Sequence, residues 1–250
     1  SSLASTIQSS AEYTYIEELH SDASSNPSPW ETMNLHKALG YNDYGVGQEI
    51  AIVDSGFAIG GSCNSSNAHL HNEFAGKTID TYGTLDCAGF TGTSFHGTSV
   101  ASIAAGVKDG NGMFGVASGA DLHLSDYTNN GSDNKAVHWK NLTDDAANAI
   151  AQNNSWGTDI VASAMTNFIA NNGIDAATGY AAGLSWGTAA EVNALVASYN
   201  TFQNNGVIVW ALSNDDTFTE SDVSASLPHF FTSLKDAWIT AVNIDKTGSA

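Results

Sequence analysis

The alternation of short apolar runs with stretches of helical periodicity predicts an α/β protein. Its sheet is expected to be mostly parallel and covered by helices on both faces. Strands are expected near 49–54, 121–125, 152–156, 207–213 and 237–244, and helices near 31–39, 96–106, 143–152 and 189–204. Strands separated by helix-length connections read as crossover-linked parallel strands. A length of 250 residues suits one domain with a large core, and a hydrophobic fraction of 42% is ordinary for a globular chain. No stretch approaches the ~18 consecutive apolar residues of a membrane span, so no membrane insertion of this domain is expected.

The elements can be justified in chain order. Residues 1–29 are Ser-rich and end in Asn26-Pro27-Ser28-Pro29, a composition that predicts an extended leader wrapping the domain. The domain proper is read from 30 to 250. Ile50-Ala51-Ile52-Val53-Asp54-Ser55-Gly56 is an apolar strand that ends in an acid and a glycine turn. Phe95-His96-Gly97-Thr98-Ser99-Val100-Ala101-Ser102-Ile103-Ala104-Ala105-Gly106 opens a helix on a histidine. Val100, Ile103 and Ala104 recur there at helical spacing. Segment 158–188, rich in Ala, Gly and Asn, is expected as an insertion on the cleft side. It contains Ser185-Trp186-Gly187-Thr188, which echoes Ser155-Trp156-Gly157-Thr158. Four residues do not make a repeat architecture. The first copy is preferred as a cleft wall because it leads out of a short strand.

Three polar residues stand where chemistry belongs. Asp54 ends one predicted strand, Asn214 ends the strand Val207-Ile208-Val209-Trp210-Ala211-Leu212-Ser213, and His96 starts a helix. Ligands of open α/β sheets bind outside the carboxyl ends of the strands. An acid, a base and an amide donor in those places form the layout of a serine hydrolase site. Asp54 would fix the imidazole tautomer and stabilise the imidazolium. His96, with a free pKa near ~6.5, would be the general base and then the general acid. Asn214 would donate its side-chain amide to an oxyanion.

These motifs resemble the subtilisin-like serine proteases (subtilases). The Asp54 strand looks like that family's strand with its catalytic aspartate. His96-Gly97-Thr98-Ser99-Val100-Ala101 is similar to its histidine motif, and Asn214 falls at its oxyanion asparagine. The family usually has glycine before that asparagine; here Ser213 stands there, after Leu212. Gly115-Val116-Ala117-Ser118-Gly119-Ala120-Asp121-Leu122 looks like the turn into the next strand, and Asn153-Asn154-Ser155-Trp156-Gly157 resembles the cleft-lining strand. The ending, Leu227-Pro228 through Ala237-Trp238-Ile239-Thr240-Ala241-Val242-Asn243-Ile244-Asp245, is closest to the secreted autotransporter branch. The resemblance implies a three-layer subtilisin-like fold and a serine endopeptidase acting on polypeptides. It implies that Ser155, Trp156 and Gly157 bind substrate by pairing with its backbone as an added strand.

The family's nucleophile motif, Gly-Thr-Ser followed by small residues and a proline, does not occur after Asn214. Gly-Thr-Ser triplets occur at 92–94 and 97–99, but the second directly follows His96 and no proline follows it. The expectation is therefore that the catalytic serine lies outside this chain, on a carboxyl-terminal remainder, and that these 250 residues alone are inactive. The alternative is a catalytically inactive, protease-like binding or scaffolding module. A carboxyl protease of the same fold with a Glu-Asp-Ser site is disfavoured by the histidine at 96.

Composition bounds the partners. There are 26 Asp and Glu against 7 basic residues, all lysine, for a net charge of −19. That argues against nucleic acid or an anionic membrane surface. The chain starts at Ser1 with no basic stretch before an apolar run, as expected once an export signal has been removed. Cys63 and Cys87, the two cysteines, flank a Gly- and Ser-rich loop before His96. A disulfide suits a secreted or cell-surface protein; two free thiols are the other reading. No cofactor is expected and no metal site is assigned. Structural calcium is compatible with the acid count, but no stretch has its ligand spacing. His69 and His71 have no obvious third ligand.

Overall fold

A computed structural model describes residues 2–9, 30, 33–41, 44–57, 72–85, 95–213 and 220–242. Six strands form one sheet: β1 (Glu49–Asp54), β2 (Ile79–Tyr82), β3 (Asp121–Asp126), β4 (Ala151–Asn154), β5 (Val207–Ala211) and β6 (Trp238–Ala241). Their order is β2-β3-β1-β4-β5-β6, and every neighbouring pair is parallel. The helices are α1 (Ser2–Gln8), α2 (Leu35–Leu39), α3 (His96–Ala105), α4 (Lys135–Asp145), α5 (Ala162–Asn172), α6 (Ala176–Leu184), α7 (Ala189–Phe202) and α8 (Leu227–Phe230). The α/β class and the parallel sheet are as the sequence predicts.

From β1 the chain goes to β2 at one edge and comes back to β3 between them, then crosses β1 to β4, β5 and β6 on the other side. β1 is therefore the switch point, and the crevice beyond its carboxyl end is the place for a site. The side-chain alternation of the strands divides the core. Ala51, Val53, Ile208 and Trp210 face α4, α6 and α7, where Trp139, Leu142, Tyr180, Leu195 and Tyr199 complete the larger cluster. Ile52, Leu122 and Leu124 face α3 and meet Ala101, Ala105 and Phe57. α3 packs on β1 and β3. On the same sheet face beyond them, Val207, Val209 and Ala211 are half-buried, and Ile239 and Ala241 are exposed. Helical cover is thus fuller on one face than on the other.

Three segments differ from the sequence reading, and a fourth, 158–188, has helices that the reading did not specify. The helix expected at 143–152 lies earlier, as α4. The Asn134 side chain caps it by accepting from Val137 N at 3.1 Å. The Ala- and Asn-rich stretch that follows leads instead into β4, with Ile150 N donating to Glu49 O. β2 went unread because its four residues, Ile79-Asp80-Thr81-Tyr82, carry too little apolar patterning. Segment 158–188 forms α5 and α6, which bury Met165, Tyr180, Leu184 and Trp186 in the larger cluster. In the leader, Ser2–Gln8 is helical rather than extended; its Ala4 and Ile7 are buried and it packs on α2.

Trp210 ties the sheet to its surroundings. Its ring is fully buried, and its Nε1 donates to Trp156 O at 2.8 Å. Trp210→Ala removes that packing and strands the carbonyl. It is expected to cost about 3–5 kcal/mol, read as a lower urea midpoint.

Candidate active site

Asp54 is the last residue of β1, and its side chain is 2% exposed. Its Oδ1 accepts from Ser55 N at 2.7 Å and lies 2.7 Å from His96 Nδ1. The His96 side chain is 52% exposed and starts α3. The helix start is bolted to the turn after β1: Gly97 N donates to Ser55 O, and Thr98 N and Oγ1 both donate to Gly56 O. Gly97 is required by this close approach. A Cβ there would meet the Phe57 ring at 2.7 Å and Ser55 O at 2.9 Å. The sequence pairing of these two motifs is thus a contact in space.

Burial pushes the Asp54 carboxyl above its ordinary range. The bonds from His96 and Ser55 N, and the His96 charge, pull it down, while Asp126 pushes it further up. Its second oxygen, Oδ2, is buried with no hydrogen-bond partner among the described residues. Among the described residues, Asp54 alone bonds the His96 ring. With Nδ1–H donated to the carboxylate, Nε2 keeps a lone pair and can accept a proton.

The wall beside this pair is aromatic. Ser155-Trp156-Gly157 leaves the end of β4. Trp156 stacks on Tyr127 with centroids 4.3 Å apart and a 3° interplanar angle. Its ring also meets Trp139 at 4.7 Å and Trp210 at 4.8 Å. Ser155 Oγ accepts from Asn153 Nδ2, and Gly157 lies against Asp222. The buried Asp222 carboxylate accepts from Thr158 N at 2.9 Å and Ser224 N at 2.7 Å, which pins the wall to the segment before α8. Tyr127, Trp139, Trp156, Gly157, Ile160 and Leu184 help line a cleft of about 450 Å³.

Asn214, Cys63, Cys87, His69, His71 and Ser94 lie outside the described residues. Ser99 lies in the first turn of α3 and is exposed. Among the described residues, no group of three or more His, Cys, Asp or Glu side chains could hold a metal ion. The sequence reading missed Asp126, Tyr127, Trp139 and Asp222. Tyr127 had a signal, because it follows a strand whose end pairs in register with Asp54. Asp222 had none, since its role depends on the fold of the 157–160 segment.

The raised Asp54 carboxyl has a consequence for stability. Between the unfolded value, near ~3.9, and the higher folded value, the folded state holds more of this proton. Its contribution to stability therefore falls as pH rises through that window. Asp54→Asn keeps the shape and cannot ionise. The variant is expected to gain on the native chain as pH rises from about 3.5 to 7, measured by urea midpoints. A variant that loses ground over the same range would mean that the His96 and Ser55 bonds outweigh burial.

Residues 45–249 match the Subtilase family, Peptidase S8. An extracellular serine protease of Serratia marcescens is 31% identical over 206 residues, which cover 70% of this chain and 19% of that protein. MycP1 from Mycobacterium smegmatis superposes with a TM-score of 0.51 at 16% identity, covering 92% of this chain and 59% of that one. MycP1 from the ESX-1 type VII secretion system gives 0.53 at 18% identity, covering 92% and 60%. At these identities the two structures speak for the fold alone. The chain spans about a fifth of the Serratia protein and about three fifths of the solved chains. With the family match running across most of its length, and the Asp54 and His96 motifs joined by a hydrogen bond, the chain belongs to the subtilase family.

Proposed function

We propose that this chain is the part of a secreted or cell-surface serine endopeptidase that supplies the acid and the base. The observation that carries the reading is the 2.7 Å bond between His96 Nδ1 and a buried Asp54, with the imidazole itself half-exposed. In this reading Asp54 fixes the tautomer and stabilises the imidazolium. His96 takes a serine proton and returns it to the leaving amine. Asn214 donates to the oxyanion. Ser155, Trp156 and Gly157 hold the polypeptide substrate as an added strand.

The serine is proposed to come from a carboxyl-terminal remainder of the same protease. The unequal cover of the sheet supports this partner: the half-exposed Val207, Val209 and Ala211 and the exposed Ile239 form an uncharged apolar face beside α3. Parallel sheets are ordinarily covered on both sides. A bound remainder would cover that face, and no cofactor enters the reaction.

The test is a fluorophosphonate probe. The 250-residue chain alone is expected not to react, whereas a longer form carrying the nucleophile motif labels and hydrolyses peptides. His96→Ala in that form should lower kcat by about 10⁶, the loss seen for a triad member in a subtilisin. Stoichiometric labelling of Ser94 or Ser99 in the short chain would overturn the assignment. A longer form that binds peptides but never labels would favour a scaffolding module.

Cys63 and Cys87 are proposed to form a disulfide ahead of His96. Closing a loop of roughly 25 residues contributes about 3 kcal/mol through the unfolded state. Thiol titration in denaturant without reductant should find no free thiol; finding two would remove the bond.

A further inference from the structure

Tyr127 joins the acid to the cleft wall by several independent contacts. It is the first residue after β3, whose last residue, Asp126, is in register with Asp54. Its N–H donates to Asp54 O at 3.2 Å. Its carbonyl accepts from Trp139 Nε1 at 3.1 Å. Its ring lies flat on Trp156. The preceding carboxylate closes a tight turn around it, with Asp126 Oδ1 accepting from Thr128 N at 2.8 Å and Thr128 Oγ1 at 2.6 Å. His138 Nε2 is 2.7 Å from Asp126 O. Burial raises the Tyr127 phenol pKa, and the charges of Asp54 and Asp126 raise it further, while a hydrogen bond with the Ser55 side chain opposes them. The backbone N–H of Tyr127 therefore bonds the acid's residue at one end, and the ring forms the cleft wall at the other.

The cleft that Tyr127 and Trp156 line has room for one large side chain. Its apolar lining comes from Tyr127, Trp139, Trp156, Ile160 and Leu184. Flat rings stack favourably on such a surface, and burying a phenylalanine side chain there favours binding by about tenfold or more.

We propose that Tyr127 is a positioning residue. A flat or apolar side chain of a bound polypeptide, seated against Tyr127 and Trp156, acts through it on the Asp54–His96 hydrogen bond. The inference rests on the reading of those two residues as an acid–base pair, but its readout needs no hydrolysis. Substrates with an aromatic side chain at the matching position are then selected twice, by the affinity of the cleft and by the order they impose on the base.

The test uses the 250-residue chain and proton NMR of the His96 Nδ1 hydrogen. Capped tetra-alanine peptides with one phenylalanine placed at each position in turn are the probes, with tetra-alanine as control. One phenylalanine position should bind at least tenfold more tightly than tetra-alanine and shift the Nδ1 proton signal, while tetra-alanine at saturation leaves it in place. Tyr127→Phe, which keeps the stack and the backbone bonds, should retain the response. Tyr127→Ala should lose both the tighter binding and the shift. An unmoved signal in the native chain at saturating phenylalanine peptide overturns the proposal, whether or not the alanine variant folds. So does an undiminished response in Tyr127→Ala, or the absence of any preference for phenylalanine. A chain that shows the coupling yet yields no active longer form would leave this inference standing and remove the peptidase reading.

Discussion

The constraint on which the site depends is the register of three parallel strands. β1 pairs Asp54 with Asp126 of β3 and Val53 with Asn154 of β4, so all three strands end at nearly the same height. An acid, an aromatic residue and a cleft wall therefore emerge side by side without any loop having to carry them. A slip of one residue would turn Asp54 towards the opposite face and replace it at the rim with Val53 or Ser55. Apolar residues on both faces of β1 hold the register, Ile52 against α3 and Ala51 and Val53 against the larger cluster. The parallel core thus supplies the precision that a catalytic constellation requires.

Placing a carboxylate at the end of a buried strand has an electrostatic cost. Asp54 recovers part of it through two short bonds on Oδ1, while Oδ2 has no partner among the described residues. Burial still dominates, and the carboxyl titrates above its ordinary range. That imbalance favours binding of a positive charge nearby. The same buried acid explains the close fit of α3. Gly97 lets the helix approach until its backbone bonds Ser55 O, and His96 is thereby delivered to Oδ1.

The strands β1, β3 and β5 and the helices α3 and α7 were legible because their apolar residues recur at one period over a length that fits one element. The Asp54 and His96 motifs were legible because each combines a structural boundary with a chemical residue. α4 was misplaced because Asn134, its cap, ends the polar stretch Asn129-Asn130-Gly131-Ser132-Asp133-Asn134, and the Ala-rich stretch after α4 resembles a helix more than α4 does. β4 was expected near 152–156 even though its Gln152 and Asn154 are polar and fully buried. Asn154 is accommodated by donating to Val209 O on the next strand. α5 and α6 were unread because their buried residues are few: Met165 in one, and Tyr180 and Leu184 among small residues in the other. Their packing comes from partners distant in sequence, such as the Tyr180 hydroxyl bonding Val223 O.

The cleft wall is better regarded as the edge of the core than as a loop. Trp139, Trp156, Trp186, Trp210 and Trp238 form one connected array, with Tyr127, Tyr180 and Tyr199 at its branches. Three of the indoles donate to backbone carbonyls, at Tyr127, Trp156 and Ala225, and each bond fixes a chain segment against a ring. Trp156 is held from above by Tyr127 and from behind by Trp210, and its carbonyl is held as well. Indoles have few rotamers and large contact areas, so such an array yields little when a ligand leans on it. In the coupling proposed above, force applied at the wall passes through Tyr127 to the turn that follows β3. That route leads to Asp54, because the bond from Tyr127 N to Asp54 O extends the β1–β3 ladder by one step beyond the strand.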